Sequence, residues 1–392
     1  MHHNLQNHMN CILADEMGLG KTMQAVSMLQ NLRVKRKLKG PFLVIAPVST
    51  LGHWQREVES LTNLNCVVFS GSAEDRRIIR EYEFYYSKSQ YIKFNVLLTS
   101  FEILMKDQGF LSKHEWQYVV VDEAHRLKSK CSKTTCCLKQ LSIRRGGLLL
   151  LTGTPIQNNT KEIFSLLNVL DSQEFSSEEE FLFKYGDLKK AEQVKDLQDN
   201  VLRPRLLRRL KEDVEKSIPL KEETIIWVEL TKEQRCYYRA ILENRILDLM
   251  KGSQPKNVPN LRNVAMELRK LCNCNGLQED IVSKMKLQEA DKSSAALSMS
   301  SGKMMLLDKL LPMLKSAGHR VLLFSQFAIM LDLLEDYLIS KNYTYEHIDG
   351  SVRGFESQAA IDRYSSKDSD TFLFLLSTRV GGLGITLTDV LL

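Results

Sequence analysis

The chain has 392 residues, of which 43% are hydrophobic and 26% are charged, and its formal net charge is +6. This length exceeds what one ordinary hydrophobic core supports, so we expect two or more domains. No apolar run is long enough to cross a bilayer, and Met1–Asn10 has no apolar signal-peptide core. The eight cysteines show neither zinc-knuckle spacing nor a disulfide framework, so a cytosolic or nuclear protein is expected.

Short apolar runs alternate with helical patterns in the first half of the chain. Continuous runs of this kind are typical of strands buried on both faces, and strand–helix alternation predicts a parallel sheet with crossover helices. The predicted strands are Cys11–Ala14, Phe42–Ala46, Cys66–Phe69, Val96–Thr99, Tyr118–Val121 and Leu148–Leu151.

The first predicted strand leads into a glycine-rich loop (DEMGLGKT) and then into a helical pattern. Strand, glycine loop, Lys-Thr and helix follow one another in this order in phosphate-binding loops. Gly18 and Gly20 would let backbone N–H groups face the phosphates, Lys21 would neutralise them, and the Thr22 hydroxyl would ligate Mg²⁺. Asp15 stands where the strict pattern has its first glycine. Judged on the loop alone, a chance Gly-Lys-Thr turn stays an alternative.

Two acids follow the predicted strand Tyr118–Val121. A carboxylate at the carboxyl end of a parallel strand faces the crevice where ligands bind. Asp122 would hold Mg²⁺ through water, and Glu123 would orient the attacking water and accept its proton. The alternative is a helix start stabilised by two acids.

A third strand, Leu148–Leu151, ends in Thr152-Gly153-Thr154-Pro155. The hydroxyls in this turn are candidates for sensing the γ-phosphate end of the same site. An ordinary β-turn built on Gly and Pro is the alternative.

Basic residues concentrate in Arg33–Lys39 and Arg203–Lys211 (RPRLLRRLK). A solvated helix face and a phosphate-contacting surface explain either run equally well.

The pattern changes along the second half of the chain. Charged segments with helical period dominate from about 171 to 275, with one strand-like run at Thr224–Val228. Strands are then predicted at Val321–Ser325, Tyr345–Ile348 and Phe372–Leu376. We therefore predict a first lobe with a helical protrusion (1–215), a helical insertion and linker (216–300), and a second lobe (301–392).

Taken together, these residues resemble the helicase superfamily 2 motor and, within it, the SNF2 family. The motifs stand in the order found in that family. They are DEMGLGKT (15–22), IAPVSTLGHWQRE (45–57), LLTSFE (97–102), VVDEAHRLK (120–128), LTGTPIQNN (151–159), VLLFSQF (321–327) and LLSTRVGGLGITLT (375–388). Segments 207–243, 257–273 and 319–338 are similar to the chromodomain–helicase–DNA-binding (CHD) remodellers, most of all to the kismet-like subgroup.

The resemblance implies an α/β fold of two RecA-like lobes with helical SNF2-type insertions between them. It implies an ATP-dependent motor that moves along double-stranded DNA, acts on nucleosomes and their histones, and resides in the nucleus. ATP and Mg²⁺ would be its cofactors. The nucleotide-binding residues would be Asp15, Gly18, Leu19, Gly20, Lys21 and Thr22. The catalytic residues would be Lys21, Asp122 and Glu123, with Mg²⁺ held by Thr22 and Asp122. The DNA backbone would contact Ser49, Thr50, Thr99, Ser325, Ser377 and Thr378.

The resemblance also places the adenine-recognising segment before Met1 and the arginines of motif VI beyond Leu392. We therefore expect an incomplete second lobe, weak Mg-ATP binding, and little or no DNA-stimulated hydrolysis by the chain alone. A second interpretation is a catalytically dead fragment or paralogue that binds nucleotide or nucleosomal DNA without hydrolysis. A third is a strand-separating helicase, against which the helical block at 172–300 argues.

Overall fold

The computed structural model describes residues 4, 6–86, 91–127, 132–153, 160–186, 191–214, 222–243, 264–274, 301–350, 355–366 and 369–378. The chain divides into two compact units, Met1–Pro219 and Leu220–Leu392. Much of 216–300 lies outside the described residues, so the three-part division stays a prediction. No helix in the described ranges has both the length and the apolar character needed to cross a membrane.

The first unit is built on a seven-stranded parallel sheet. Its strands are β1 (Cys11–Leu13), β2 (Phe42–Ala46), β3 (Cys66–Phe69), β4 (Val96–Ser100), β6 (Tyr118–Val121), β8 (Leu148–Leu151) and β9 (Leu206–Leu207). They lie in the order β3-β4-β2-β6-β8-β1-β9, with every neighbouring pair parallel. A separate pair joins β5 (Glu115–Trp116) to β7 (Ser142–Ile143). The predicted parallel α/β sheet and its six predicted strands are confirmed.

Helices cover both faces of this sheet. Consecutive strand residues such as Leu43 and Val44 pack into different hydrophobic clusters, because strand side chains alternate between faces. Both faces are buried, which is why the strand sequences are continuous apolar runs. The helices of this unit are Lys21–Lys35, Leu51–Leu61, Ala73–Tyr82, Phe101–Lys106, Gln108–Leu111, Lys133–Lys139, Thr160–Leu170, Glu178–Tyr185, Ala191–Asp196 and Lys211–Val214, with a π turn at Leu197–Leu202 and short 3₁₀ turns at Val48–Thr50 and Ala124–Leu127.

The basic run Arg203–Lys211 contains a strand that the sequence did not predict. Leu206 and Leu207 pair in parallel with Ile12 and Leu13, which places β9 at the edge of the sheet. Two residues are too few to show a period, and the surrounding arginines hide the apolar pair. Because β9 and β1 are parallel, their carboxyl ends lie beside each other, and the chain segments that follow them are neighbours.

The second unit contains a parallel three-stranded sheet. Its strands are β10 (Val321–Ser325), β11 (Tyr345–Ile348) and β12 (Leu373–Ser377), in the order β10-β12-β11. Its helices are Lys232–Leu242, Val264–Asn273, Gly302–Ser316, Ala328–Ser340 and Phe355–Ser365. The three strands predicted here are confirmed. The strand predicted at Thr224–Val228 is wrong, because this stretch has no regular structure and leaves Trp227 92% exposed.

Candidate nucleotide and nucleic-acid sites

Three neighbouring strands of the first unit end beside one another. In the order β6-β8-β1, the chain continues past the carboxyl ends into Asp122, Thr152 and Ala14. This edge of a parallel sheet is where open α/β folds bind ligands. The three motifs predicted to form one site are thus brought to one edge of one sheet.

The glycine-rich loop after β1 depends on backbone conformations that favour glycine. Gly18 and Gly20 have φ values of 87° and 69°, in the left-handed region. Gly20 directly precedes the helix Lys21–Lys35, whose amino terminus has no side-chain cap. The uncapped N–H groups and the helix dipole make this end favourable for an anion.

Lys21 lies near all three motifs at the carboxyl ends of these strands. Its Nζ donates to the Asp15 carbonyl oxygen at 2.9 Å and to the Glu16 carbonyl oxygen at 3.2 Å. Burial lowers the pKa of the Lys21 ammonium, while the nearby charges of Glu123 and Asp122 act to raise it. The lysine therefore lies within electrostatic reach of both acids of the second motif.

The turn after β8 packs closely on the loop. A Cβ added at Gly153 would come within 2.7 Å of Met17 Cγ and 3.3 Å of Lys21 Nζ. A side chain at this position would have to displace the Met17 side chain, so glycine suits the close approach of the third motif to the loop. Positions 154–159, the rest of that motif, lie outside the described residues.

Asp122 is half-buried at the end of β6. Its Oδ2 accepts a hydrogen bond from Trp54 Nε1 at 2.9 Å, and its Oδ1 accepts one from the Glu123 N–H at 2.9 Å. Burial raises the pKa of the Asp122 carboxyl, and the Trp54 hydrogen bond partly opposes that effect. A desolvated carboxylate beside a second acid favours the approach of a cation.

Glu123 is held in an unusual backbone conformation. Its φ is 49°, which is uncommon for a residue other than glycine and is found at functional sites. Its side chain is 13% exposed, and Oε2 lies 2.9 Å from His125 Nδ1. The two atoms are in contact, yet neither has an aligned hydrogen-bond partner among the described residues. Glu123 thus presents a buried carboxylate oxygen with spare accepting capacity.

The carboxylate of Asp15, a predicted nucleotide-binding residue, is already engaged by other residues of the protein, and its role in nucleotide binding stays a prediction. Its carboxylate is completely buried and is occupied by the Arg209 guanidinium, the Arg209 N–H and Gln24 Nε2. Burial acts to raise the pKa of Asp15, but these hydrogen bonds and the Arg209 charge hold it below its usual range. The side chain is a structural anion inside the loop, and its carbonyl oxygen contacts Lys21.

The two remaining predicted residues of the loop lie close to Lys21 in the chain. Leu19 is half-buried, and its carbonyl oxygen accepts from Gln24 Nε2 at 3.0 Å. Thr22 is half-buried in the first turn of the helix Lys21–Lys35. Their predicted roles, phosphate binding for Leu19 and Mg²⁺ ligation for Thr22, stay predictions.

The DNA-contact residues predicted in the first unit do not form one surface. Ser49 is exposed. The Thr50 hydroxyl is buried and donates to the Pro47 carbonyl oxygen at 3.0 Å. The fully buried Thr99 hydroxyl donates to the Phe69 carbonyl oxygen at 3.0 Å. Both threonine hydroxyls donate to backbone carbonyl oxygens inside the fold, and their predicted contact with the DNA backbone stays a prediction.

The residues predicted in the second unit do lie together. Ser325 and Ser377 are paired across β10 and β12, and the exposed Thr378 follows at the same edge. Ser325 and Thr378 line a cleft of about 560 Å³ that is also lined by Arg269 and Lys303. Residues 379–392, which hold the rest of this motif, lie outside the described residues.

The sequence matches the models of two known protein families, in the regions where the motifs lie. Residues 1–277 match the model of the SNF2-related domain, and residues 302–392 match the helicase conserved C-terminal domain. Chromodomain-helicase-DNA-binding protein 8 of Xenopus tropicalis is 51% identical over 98% of this chain, which spans 18% of that protein. Chromodomain-helicase-DNA-binding protein 7 of Homo sapiens is also 51% identical over 98% of the chain, here 13% of the relative.

A solved structure of the Sulfolobus solfataricus SWI2/SNF2 ATPase core in complex with dsDNA shares 25% identity with this chain. It matches over 96% of this chain and 75% of its own length, with a TM-score of 0.49. The chain spans less than a fifth of the curated relatives it matches. The family model covers more than half of the chain, and the family resemblance predicted from the motifs is confirmed. The chain therefore belongs to the SNF2-related family, and its sequence is similar to the chromodomain-helicase-DNA-binding proteins throughout.

Proposed function

We propose that the chain is the ATP-dependent motor of a nucleosome remodeller, working on double-stranded DNA in the nucleus. The observation that carries the proposal is the meeting of Lys21, Asp122 and Glu123 at the carboxyl edge of one parallel sheet. A half-buried lysine that follows a glycine loop and lies near two acids is the arrangement needed for phosphate binding and water activation. The names of the relatives, which join chromodomain, helicase and DNA binding, support the choice of partner.

The residues present fit a magnesium nucleotide. Among the described residues Lys21 Nζ donates to two carbonyl oxygens, which a phosphate would outcompete as a charged acceptor. Asp122 is a desolvated acid that a cation would keep ionised. Thr22, in the first turn of the helix Lys21–Lys35, would supply a hydroxyl ligand. When bound, ATP supplies the phosphoanhydride bond that is hydrolysed, and Mg²⁺ supplies positive charge that neutralises the phosphate oxygens.

The chain's own residues then act on phosphates and on water. Lys21 would bind the phosphates, while Gly18 and Gly20 shape the loop around them. Thr22 and Asp122 would hold Mg²⁺, with Trp54 orienting the Asp122 carboxylate. Glu123 would accept a proton from water at its Oε2, which has no aligned partner among the described residues.

DNA would be held through its backbone by the exposed Ser49 in the first unit and by Ser325, Ser377 and Thr378 in the second. Short hydroxyls position a phosphate without reading the sequence. This suits a motor that must move along any duplex.

Hydrolysis and movement together test the proposal. Because the chain spans part of its relatives, we would measure the chain alone and an extended chain. The extended chain carries the residues that follow in the Xenopus tropicalis relative. Phosphate release from the extended chain is expected to rise with duplex DNA. ATP is expected to drive the displacement of a third strand from a triplex without unwinding a forked duplex. Turnover indifferent to duplex DNA would contradict a DNA motor, and unwinding of the fork would favour a strand-separating helicase.

Two buried tryptophans offer a matched test of the Asp122 site. Trp54 and Trp116 are both fully buried, but Trp54 Nε1 donates to Asp122, whereas Trp116 Nε1 donates to the Leu111 carbonyl oxygen at 3.0 Å. Trp54→Phe should weaken Mg²⁺-dependent nucleotide binding by about tenfold, the value of one hydrogen bond to a charged group. Burial already raises the pKa of Asp122, so the loss should be larger at pH 5.5 than at pH 8.

Trp116→Phe serves as the control, because it makes a comparable change in a buried part of the same unit away from the acid. Nucleotide affinity is measured by titration calorimetry at both pH values, and stability by urea unfolding. Equal affinities in the two variants would show that Trp54 does not orient a metal-binding carboxylate.

A further inference from the structure

The chain around Arg209 lies against the phosphate loop although 194 residues separate it from Asp15. Because β9 runs parallel to β1, both segments leave the sheet side by side. The backbone pairing continues past the strands: the Ala14 N–H donates to the Leu207 carbonyl oxygen at 2.7 Å, and the Glu16 N–H to that of Arg209 at 3.0 Å. The segment that follows β9 is thus hydrogen-bonded along the start of the phosphate loop, a contact that the sequence motifs did not reveal.

Arg209 joins both ends of the loop. Its guanidinium contacts the Asp15 carboxylate, where the loop begins, and donates to Gln24 Oε1 at 2.6 Å, in the helix that follows. Gln24 Nε2 in turn donates to the Leu19 carbonyl oxygen at 3.0 Å. One planar donor set therefore contacts the loop at its start and the helix beyond its end, with a fixed fork geometry that a lysine lacks.

Lys211 brings a second cation to the same loop. Its backbone N–H donates to Glu16 Oε2 at 2.8 Å, and its Cε and Nζ each lie 3.1 Å from the position of a Cβ at Gly18. Within the described part of the chain, its ammonium has no ion-pair partner. Burial lowers the pKa of Lys21, and the Lys211 charge lowers it further, so the two ammonium groups lie within electrostatic reach of each other.

Two cations beside one short loop repel each other unless an anion lies between or beside them. A nucleotide polyphosphate carries several negative charges, and Lys21 alone neutralises one. Because Lys211 has no ion-pair partner in the described ranges, its charge is available for that ligand.

We propose that Lys211 is a second phosphate-binding cation of the nucleotide site and that Arg209 is the positioning residue that holds the loop for it. The proposal rests on the proposed function, since it assumes that the loop binds a nucleotide. It adds the segment after β9 to the nucleotide site, with a ligand contact from Lys211 on the side of Gly18 where a Cβ would lie.

Titration calorimetry with a non-hydrolysable Mg-ATP analogue, Mg-ADP and adenosine tests Lys211. Lys211→Gln, which removes the charge and keeps a polar side chain, should weaken the triphosphate analogue about 5- to 20-fold and leave adenosine unchanged. Lys211→Arg should restore most of the affinity. The control is Arg208→Gln, which removes an exposed cation three positions away and should change affinity less than about twofold.

Arg209 is tested by separating loop geometry from stability. Arg209→Lys keeps the charge but loses the fork, so analogue affinity should fall about tenfold in protein that is still folded. Asp15→Asn should cause a similar loss, and the loss in the double variant should be smaller than the sum of the two single losses, because both substitutions disrupt the Arg209–Asp15 pair. Urea unfolding verifies that the titrated protein is folded. A lower unfolding midpoint with unchanged affinity would make Arg209 merely structural.

The outcomes separate this inference from the function it rests on. If the unaltered chain binds no nucleotide, or binds it equally after Lys21→Ala, the proposed function fails. If binding requires Lys21 but Lys211→Gln matches Arg208→Gln, the proposed function stands and the second cation is overturned.

Discussion

Glu123→Gln is expected to lower DNA-stimulated phosphate release by about 10²–10⁴ while leaving nucleotide binding nearly intact. Glutamine keeps the shape of the side chain and can still contact water, but it cannot take up a proton at neutral pH. The Glu123 side chain is 13% exposed, and its Oε2 has no aligned partner among the described residues. The substitution therefore removes the proton acceptor without breaking an aligned hydrogen bond, and the contact with His125 Nδ1 is the one contact of this oxygen that it changes among the described residues.

The measurement is phosphate release by the extended chain under single-turnover conditions, with protein in excess so that slow hydrolysis is still detected. Glu59→Gln is the matched control, because Glu59 is an exposed carboxylate on the helix Leu51–Leu61 whose partner is Gln55. Turnover that survives Glu123→Gln would assign the base to another group. A nucleotide affinity that collapses with turnover would instead point to a role in binding.

The sheet and its edge could be predicted because their signals are local. Six apolar runs in the first half form six strands, and residues that follow parallel strands must meet at one edge. Lys21, Asp122 and Glu123 therefore come together for a reason that is visible in the sequence. Ser325 and Ser377 lie side by side for the same reason, since each ends a strand of the same sheet.

The features that the sequence does not predict depend on contacts between distant residues. The partner of Asp15 is 194 positions away, so the sequence does not reveal that this carboxylate is one half of an ion pair with Arg209. Thr99 lies near the end of a strand, as a ligand-binding residue would, yet its hydroxyl turns inward to the Phe69 carbonyl oxygen. Strand position fixes which edge a residue occupies, whereas rotamer and neighbouring backbone decide which way its side chain points.

Lys21→Ala is expected to abolish measurable binding of a magnesium nucleotide, a decrease in affinity of about 100-fold or more. A hydrogen bond between charged groups is worth roughly 1.5–3 kcal/mol, and leaving several phosphate charges without their buried cation costs more than one such bond. In the free protein the Lys21 ammonium donates to the carbonyl oxygens of Asp15 and Glu16, and these hydrogen bonds are weaker because their acceptors are neutral. The substitution should therefore weaken the bound state more than it destabilises the free protein.

Lys35→Ala is the control, since it removes an exposed cation from the other end of the same helix and should leave affinity within about twofold.

Nucleotide binding by the unaltered chain should also depend on pH. Burial lowers the pKa of Lys21, so the free protein loses this charge at a lower pH than an ordinary lysine does. Affinity should then weaken as pH rises through that lowered pKa, by up to about tenfold per pH unit, because binding must take up a proton. Calorimetry of the unaltered chain, Lys21→Ala and Lys35→Ala at pH 7 to 10 measures both effects. Equal binding by all three proteins would show that the glycine-rich loop is not the nucleotide site.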